Sequence, residues 1–352
     1  MASDKRRATR GQPSMTDVAR HAGVALGTVS NTLNNPEKVS EATRRRVLAA
    51  IAELGFVRND AARSLAAGRS TTVGLVLADI DNSFFVDIAR GAETILRQHG
   101  MNVLIANTDI DPEREQRHLE LFEETRVAGV IITPTPWVAP RPPAIRSTPL
   151  VYVNSAPPDA SYSSVVVDEE EGGYLAARHL LDLGRSRLVF VGGPFLLHAI
   201  SRRHEGAGRA VAETPGATLD ILESRGLNIP HGRQAGREIV ARGAGRYDGI
   251  VAASDLLAIG CSQVLDHEPG FEIPADIAVI GYDNNHFASE SAKPVSTVAQ
   301  PGAEMGRVAA QLLINEVTEP DTFAPRAVTL RPHLAARQST LGDRWEGRRS
   351  HV

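Results

Sequence analysis

Short apolar segments alternate with amphipathic helical segments from residue 73 to about residue 280, and this alternation limits what the chain can fold into. The apolar segments, typical of buried strands, are 73–78, 103–106, 130–133, 150–153, 165–167, 188–191, 250–252 and 278–280. Helical patterns between them include 85–98, 113–124, 172–183 and 256–266. Such an order predicts a doubly wound α/β fold with parallel sheets. About 260 residues with so many strands fit two lobes better than one.

A different pattern precedes this region. Three short helical segments are predicted at residues 16–21, 26–33 and 41–54. Thr16 and Ser40 are suitable N-caps for the first and third, and Gly23 is a suitable stop for the first. The apolar side chains expected to form one small core are those of Val18, Ala22, Val29, Leu33, Val47, Leu48, Ile51 and Leu54.

The first two of these segments and the tight turn at residues 22–24 are typical of a helix-turn-helix. In that motif the second helix lies in the major groove of DNA and its exposed side chains meet the base edges. Val29 and Leu33 then point inward. The residues left to face DNA are Leu26, Gly27, Thr28, Ser30 and Asn31.

Charge is distributed unevenly along the chain. Residues 1–69 contain 12 Lys and Arg against 6 Asp and Glu, whereas the remainder contains 26 against 36. A basic N-terminal region on an acidic body favours a polyanionic partner for the N-terminal region. The alternative is a solvated surface with chance clustering.

Composition excludes several classes of protein. Cys261 is the single cysteine, so neither an internal disulfide framework nor a cysteine-held zinc site is expected. The first 14 residues are polar and charged, and no run of about 18 apolar residues occurs, which argues against a signal peptide and a membrane span. We expect a soluble cytoplasmic protein in which residues 1–14 form a disordered basic arm.

Several N-terminal motifs carry a family resemblance: Asp17-Val-Ala, Ala22-Gly-Val, Thr28-Val-Ser, Leu33-Asn, Val39-Ser and Thr43-Arg. Residues 15–58 thereby resemble the DNA-binding domain of the lactose/galactose-repressor (LacI/GalR) family. The resemblance implies base contacts at Leu26, Gly27 and Asn31, with Asn31 hydrogen-bonding to a base and Leu26 contacting a thymine methyl. Thr16 joins the residues expected to bind DNA.

The linker extends the same resemblance. Asn59, Ala62, Leu65 and their neighbours are similar to the hinge helix of the family, which implies a hinge or linker at residues 59–70. Two such helices of a dimer enter the minor groove together, and the leucine separates a central base step. The alternative is that Leu65 packs against the core. So short a helix is not stable alone and is expected to form only on DNA.

Residues 71–335 resemble the core of the same family, which is itself similar to periplasmic sugar-binding proteins. The matching segments are 73–85, 165–168, 179–184, 191–194 and 280–283. The resemblance implies two lobes with a ligand between them, at the carboxyl ends of the parallel strands. The chain is expected to cross between lobes near residues 154–165 and again after 283.

The resemblance also places the effector site. Arg203 and Asp283 are the expected polar clamps, because together they offer donors and acceptors to hydroxyl groups or a purine edge. Further hydrogen bonds are expected from Asn154 and from Ser254 with its neighbour Asp255, and an apolar face from Phe84 or Phe85. Alternatively, Arg203 and Asp283 form a salt bridge that holds the lobes, and the phenylalanines are ordinary core.

No metal or cofactor is expected. The acidic run at residues 168–171 directly precedes a helical pattern, where carboxylates favour the helix N-terminus. His198 and His204 near the same wall are more typical of surface or core groups than of ligands. The tail of residues 336–352 has no leucine heptads that would form a tetramer, and a short disordered end is predicted.

The function that these features favour is a homodimeric transcriptional regulator of the repressor type, bound to a pseudo-palindromic operator and modulated by a small molecule. A sugar is the expected effector, with a purine or no ligand as alternatives. An enzyme is disfavoured, because no catalytic or phosphate-binding motif follows a predicted strand. An extracytoplasmic solute-binding protein would need a signal peptide and would have no use for a helix-turn-helix.

Overall fold

Capping residues and apolar spacing produce a three-helix unit at the N-terminus. The computed structural model describes residues 13–56, 70–135, 145 and 147–346, and it divides into two units between Ser70 and Thr71. The helices of the first unit are α1 (Met15–Ala22), α2 (Leu26–Asn34) and α3 (Glu41–Leu54), with a 3-10 turn at Pro36–Lys38. The predicted hinge helix, with Asn59, Ala62 and Leu65, and residues 1–12 of the predicted arm lie outside the described residues. The prediction of residues 1–14 as a disordered arm is wrong at Ser14, which belongs to the start of α1.

Two of the three predicted caps are confirmed. Gly23 ends α1 in the left-handed region at φ 62°, and the Ser40 hydroxyl accepts a hydrogen bond from the Thr43 amide at the start of α3. The prediction for Thr16 is wrong. Ser14 is the N-cap of α1, in a capping box with Asp17 that satisfies two backbone donors, so α1 begins one residue before Thr16.

The core of this unit contains Ala19 and Ala50, which were not predicted, and lacks Leu48, which was. The buried side chains are Val18, Ala19, Val29, Val47 and Ala50, with partly buried Ala22, Leu33, Ile51 and Leu54 around them. Leu48, predicted to belong to this core, is 46% exposed. The apolar face of α3 runs through residues 47, 50, 51 and 54, and residue 48 lies to one side of it.

The second unit contains two sheets, which define two lobes. The sheet of lobe one has the order β11-β5-β4-β3-β1-β2, and all its pairings are parallel. Its strands are β1 (Thr72–Leu77), β2 (Asn102–Asn107), β3 (Gly129–Ile132), β4 (Leu150–Val153), β5 (Ser163–Val167) and β11 (Ala327–Leu330). Its helices are α4 (Ser83–Gln98), α5 (Pro112–Glu124) and α11 (Gly302–Thr318), of which α4 and α11 pack together.

Lobe two has the sheet order β12-β10-β9-β8-β6-β7, parallel except for the β10–β12 pair. Its strands are β6 (Arg187–Gly192), β7 (Thr218–Glu223), β8 (Gly249–Ala252), β9 (Ala278–Asp283), β10 (Ser296–Ala299) and β12 (His333–Ala335). Its helices are α6 (Glu169–Asp182), α7 (His198–Ala212), α8 (Ile229–Ala241), α9 (Asp255–Leu265), α10 (His286–Glu290) and α12 (Gln338–Leu341). The predicted doubly wound, two-lobed class is confirmed.

The chain crosses between the lobes at three places, not two. The crossing predicted at residues 154–165 is wrong, because β4 and β5 on either side of it both belong to lobe one. The first crossing lies at Asp168, between β5 and α6. The second lies between β10 and α11, consistent with a crossing after 283, and the third lies between β11 and β12.

The C-terminal segment, residues 336–346, is not the disordered end that was predicted. α12 follows β12 directly, and Ser339 and Thr340 are buried. The Ser339 hydroxyl donates to the Val279 carbonyl at 2.6 Å, and the Ser296 amide donates to Ser339 at 2.8 Å. Polar bonds to β9 and β10, rather than an apolar periodicity, hold this segment, so its sequence carries no recognisable pattern.

Candidate functional site

Both sheets present the carboxyl ends of their strands to a cleft between the lobes. A cavity of about 430 Å³ occupies this cleft, a size that is usual for small-molecule sites. Lobe one lines it with the ends of β1, β3, β4 and β5. Lobe two lines it with the first turn of α7 and the residues that end β9 and follow β10.

Arg203 lies on α7, buried in the wall of lobe two. Its guanidinium donates to both Glu169 carboxylate oxygens at 2.8 and 3.1 Å and to the Ala253 carbonyl at 2.6 Å, and it stacks 3.7 Å from the centre of the Tyr282 ring. Burial alone would lower the pKa of Arg203, but the neighbouring Glu169, Tyr282 and Asp283 raise it. The guanidinium is therefore a fixed cation with few donors left for a ligand.

Asp283 ends β9 beside it. Its Oδ1 accepts from Gln300 Nε2 at 2.7 Å and lies 3.6 Å from Arg203 Nη1, while its Oδ2 accepts from Asn82 Nδ2 at 3.0 Å. Burial raises the pKa of Asp283, against the opposing effect of Arg203. The Arg203–Asp283 pair lies within lobe two, so the interpretation of it as a salt bridge that holds the two lobes is wrong.

Lobe one supplies Phe84, Phe85 and Asn154 to the cavity. Phe84 is 2% exposed and packs in the core of lobe one with one face on the cavity, whereas Phe85 is half-buried. Asn154 follows β4 in the left-handed region, at φ 63°. Its Oδ1 is buried and has no hydrogen-bond partner among the described residues, so it is available to a donor on a ligand.

Ser254 and Asp255 are not in the cavity wall. Ser254 caps α9 by accepting from the Leu257 amide and donates to the Leu227 carbonyl. Asp255 is fully buried behind it and accepts from the Asn285 amide at 2.6 Å. Asn228 and Leu256 from the same region line the cavity instead. A serine at the start of a helix is used as a cap, which explains why the expected ligand contact is absent.

The two histidines differ in position. His198, exposed at the start of α7, lines the cavity. His204 packs edge-on against Phe190 and Phe195, and burial lowers its pKa. His204 is a core group in the part of the chain that the structure describes, as expected for a lone histidine.

Sequence reasoning missed several polar residues of the cavity, among them Asp79, Asn82, Glu169 and Gln300. Asn82 also caps α4 by accepting from the Phe84 amide, and that cap was the available signal in the Asp81-Asn-Ser motif. Gln300 follows β10, a strand that was not predicted, so no pattern pointed to it. Its Nε2 is held by Asp283, and its buried Oε1 has no partner among the described residues.

Metal ligands are not grouped in this site. No cluster of three or more His, Cys, Asp or Glu side chains that could hold a metal ion occurs within residues 13–56, 70–135, 145 and 147–346. Asp168 instead caps α6 by accepting from the Glu171 amide. Its neighbours Glu170 and Glu171 pair with arginines of α7.

The candidate DNA surface is α2. Leu26 is 50% exposed, Gly27 and Asn31 are exposed, and no atom lies within 4 Å of a Cβ built on Gly27. Thr28 and Ser30 are half-buried, and the Ser30 hydroxyl accepts from Asn34. Ala25 gives α2 no side-chain cap, so its first amides are open to a phosphate. Thr16 is exposed on α1.

Comparisons with known proteins agree in both units. Residues 14–59 match the model of the bacterial regulatory proteins of the lacI family, and residues 158–340 match a periplasmic binding protein-like domain. The HTH-type transcriptional regulator RegA of Clostridium saccharobutylicum is 33% identical over 333 residues, which cover 93% of this chain and 99% of RegA. The ribose operon repressor of Escherichia coli K12 is 31% identical, with the same coverage of each chain.

A solved structure extends these similarities to the fold. The transcriptional regulator CelR in complex with cellobiose is 31% identical, with a TM-score of 0.66 over 93% of this chain and 99% of CelR. The names of these relatives are those of regulators and a repressor, not of enzymes. Among the described residues, none of the helices has the length and apolar character needed to cross a membrane.

Proposed function

The chain belongs to the lacI family of bacterial regulatory proteins, and on that premise we propose that it is a cytoplasmic, homodimeric repressor. Its affinity for a pseudo-palindromic operator changes when a sugar binds between its lobes. The observation that carries the proposal is the presence, in one chain, of a lacI-type helix-turn-helix and a cleft with unused buried acceptors on both walls. An enzyme and an extracytoplasmic solute-binding protein each account for the cleft but not for the helix-turn-helix.

Direct contacts to bases are proposed for α2. Asn31 is exposed and bears an amide that can form two hydrogen bonds with adenine, while Leu26 offers an apolar surface to a thymine methyl. Gly27, Thr28, Ser30 and Thr16 are proposed to lie against the DNA beside them. In each half of a dimer, α2 would enter one of two successive major grooves.

A sugar fits the polar groups of the cleft. Asn154 Oδ1 and Gln300 Oε1 require donors, and Asp79 and Asp283 are further acceptors on the same cavity. Hydroxyl groups supply such donors without adding negative charge beside these carboxylates. Phe84 and Phe85 offer an apolar face to the ring. The relatives include a ribose operon repressor and a regulator in complex with cellobiose, which supports a sugar as the effector class.

Dimerisation is supported by apolar side chains on sheet edges. Leu104 and Ile105 of β2, an edge strand of lobe one, are 52% and 58% exposed, and Ile221 of β7, an edge strand of lobe two, is 46% exposed. Exposed apolar edge strands are unfavourable in a monomer. We propose that a second copy of the chain covers both edges.

The hinge is proposed from the sequence alone. Asn59, Ala62 and Leu65 would form a short helix when two copies meet on the operator, with Leu65 inserted at the central base step. Leu65→Ala should reduce both operator affinity and DNA bending, the latter measured by the mobility of circularly permuted fragments. Unchanged bending would show that Leu65 is not the wedge.

Selection of bound DNA from a random library by the purified protein tests the whole proposal. The selection is repeated at fixed salt with pools of neutral sugars and of nucleobases, because salt alone changes such affinities strongly. We expect a palindromic site whose recovery changes with one sugar. Asp283→Asn should keep the site and lose the response. Enrichment of a site whose recovery no compound changes would contradict a sugar effector. No enrichment in any condition would contradict the proposal that the protein is a sequence-specific regulator.

A further inference from the structure

One side chain of the C-terminal segment contacts the residue that follows Asp283. Arg337 is 9% exposed, and its guanidinium donates to the Asn284 side-chain oxygen and, at 2.8 Å, to the Val295 carbonyl. Asn284 directly follows Asp283, whose carboxylate faces the cavity. Arg337 lies outside the cavity, on a segment predicted to be disordered, and a single residue, Asn284, connects it to the proposed effector contact Asp283.

The backbone at residues 283 and 284, beside the Arg337 contact, is strained. Asp283 and Asn284 are consecutive non-glycine residues in the left-handed region, at φ 100° and 59°. Such conformations are unfavourable for residues other than glycine and persist only where the surroundings hold them. The corner at residues 283–285 is the point where β9 turns and presents Asp283 to the cleft.

Besides Asn82, Gln300 and Arg203, which contact the side chains of Asp283 and Asn285, three groups from three different elements hold this corner. The Asn284 amide donates to Thr297 Oγ1 on β10 at 3.2 Å, and the Asn285 amide donates to Asp255 Oδ2 on α9 at 2.6 Å. Arg337 holds the Asn284 side chain, and it is the only cation of the three. Thr297 and Asp255 constrain amide groups, whereas Arg337 fixes the side chain next to Asp283.

Charge gives Arg337 a second effect on the same corner. Burial and the neighbouring Asp283 raise the pKa of Asp255 well above its ordinary value, and Arg337 opposes that rise. The charged or titratable groups that surround the corner are Asp255, Asp283, Arg203, Glu169, Tyr282 and Arg337. Arg203 lowers the pKa of Asp283 from the cleft side of the corner. Arg337 lowers the pKa of Asp255 from the side of the C-terminal segment.

We propose that Arg337 is a positioning residue of the effector site, which holds the left-handed corner through Asn284 and so fixes the Asp283 carboxylate in the cleft. The inference rests on the proposed role of Asp283 in binding the effector. It assigns to the C-terminal segment a part in effector binding in addition to its packing on β9 and β10.

The test compares Arg337→Met with Arg337→Lys and with Ser339→Ala. Ser339 is a matched control because it is buried on the same segment and loses two hydrogen bonds, but it has no charge and no contact with Asn284. Unfolding is followed in urea from about pH 4 to about pH 9, a range that extends well above the ordinary pKa of a carboxyl group. A substitution that removes only packing and hydrogen bonds should lower the free energy of unfolding by the same amount at every pH in this range.

The expected pH dependence follows from the sign of the shift. A carboxylate with a raised pKa in the folded state costs stability as pH rises, until pH passes its folded pKa. Without Arg337 the pKa of Asp255 rises further, so the penalty of Arg337→Met should grow as pH rises past the folded-state pKa of Asp255 in the unmodified protein, while that of Ser339→Ala stays constant. Equal, pH-independent penalties for both variants would overturn the proposal.

Binding of D-ribose, measured by calorimetry on the full-length protein, is the second readout. We expect Arg337→Met to weaken binding by about tenfold or more, Arg337→Lys to recover part of the loss, and Ser339→Ala to bind like the unmodified protein. Normal binding by Arg337→Met would overturn the positioning role. If the unmodified protein binds no sugar at all, the ligand class under Proposed function fails, and the pH-dependent unfolding still decides the role of Arg337.

Asn284→Gly removes the hydrogen bond between Arg337 and Asn284 but leaves the charge of Arg337 in place. Glycine adopts φ 59° without strain, and the substitution removes the side chain whose oxygen accepts from Arg337. In the double variant with Arg337→Met, the two losses of affinity should be less than additive, because both remove the same bond. Full additivity would show that Arg337 does not act through Asn284.

Discussion

Asn82 of lobe one donates a hydrogen bond from its Nδ2 to the Asp283 carboxylate of lobe two, at 3.0 Å, and its Oδ1 accepts from Asn285 Nδ2 at 2.9 Å. One side chain thus joins the lobes at two points beside the cavity. The Ser83 hydroxyl adds a third bond by accepting from the His286 amide at 2.9 Å. Asn82, which caps α4, therefore also links the two lobes.

Asn82→Ser should loosen the lobes without unfolding α4. Serine still caps the helix but is too short to reach Asp283 and Asn285. Two lost bonds of about 1 kcal/mol each correspond to roughly thirtyfold weaker effector binding, and small-angle X-ray scattering should show a larger radius of gyration. Ser83→Ala, which loses one bond, serves as the control with a smaller effect. An unchanged radius and affinity would argue against the role of Asn82.

Arg203→Met should destabilise lobe two and abolish effector binding. It leaves Glu169 and Asp283 buried without their cation, a change that costs about 3 kcal/mol or more. Adding Glu169→Gln should restore much of the stability but not the binding. Urea unfolding and calorimetry measure the two quantities. Recovery of binding in the double variant would show that Arg203 acts only through packing.

Two glycines of α7 provide a matched pair. A Cβ on Gly206 would lie 1.8 Å from the Glu170 carbonyl oxygen, whereas nothing lies within 4 Å of a Cβ on Gly208. Gly206→Ala should therefore separate α6 from α7 and cost about 3 kcal/mol. Gly208→Ala should be neutral or stabilise by up to about 1 kcal/mol, because alanine favours helix. Melting temperatures that fall equally in both would contradict the packing.

Asp255→Asn should stabilise the protein at neutral pH. Burial raises the pKa of Asp255, so the unfolded chain ionises before the folded one and stability is lost as pH rises through the folded pKa. Asparagine does not titrate and can still accept from the Asn285 amide. The gain over the unmodified protein should grow from acid to neutral pH. A gain that is absent at pH 7 or independent of pH would be the contrary result.

Asn31→Ala should relax the choice of operator without affecting the fold. The side chain is exposed, and loss of a bidentate contact to one base costs about 1–3 kcal/mol of discrimination. Binding to random DNA at the same salt should change little. Glu53→Gln is the control, since Glu53 is exposed and pairs with His21. Equal loss on all sequences would point to a phosphate contact at Asn31.

Much of the fold follows from the sequence because buried strands and caps leave local patterns. β1, β3, β8 and β9 are continuous apolar runs, and Gly23 and Ser40 punctuate the first unit. The strands that were missed are mostly edges. β7, β11 and β12 are partly exposed and contain polar residues, so their sequences lack the apolar signal.

The candidate site is harder to predict for a different reason. Arg203, Asp283, Asn154 and Phe84 line the cavity where the family resemblance places them. The contacts that hold them come from distant parts of the chain, such as Asn82, 201 residues before Asp283. Periodicity and capping are local signals and contain no information about such pairs. Ser254 was misassigned because its local role as a cap outweighs its place in the motif.

The three crossings between the lobes bear on synthesis of the protein. β11 pairs with β5 and α11 packs on α4, so lobe one is incomplete until residues 302–330 have been made, and lobe two awaits β12 after that. The helix-turn-helix, in contrast, is contiguous within residues 13–56. On the ribosome the nascent chain therefore carries a complete helix-turn-helix unit long before either lobe can close. Premature termination would leave this unit without an effector-binding cleft.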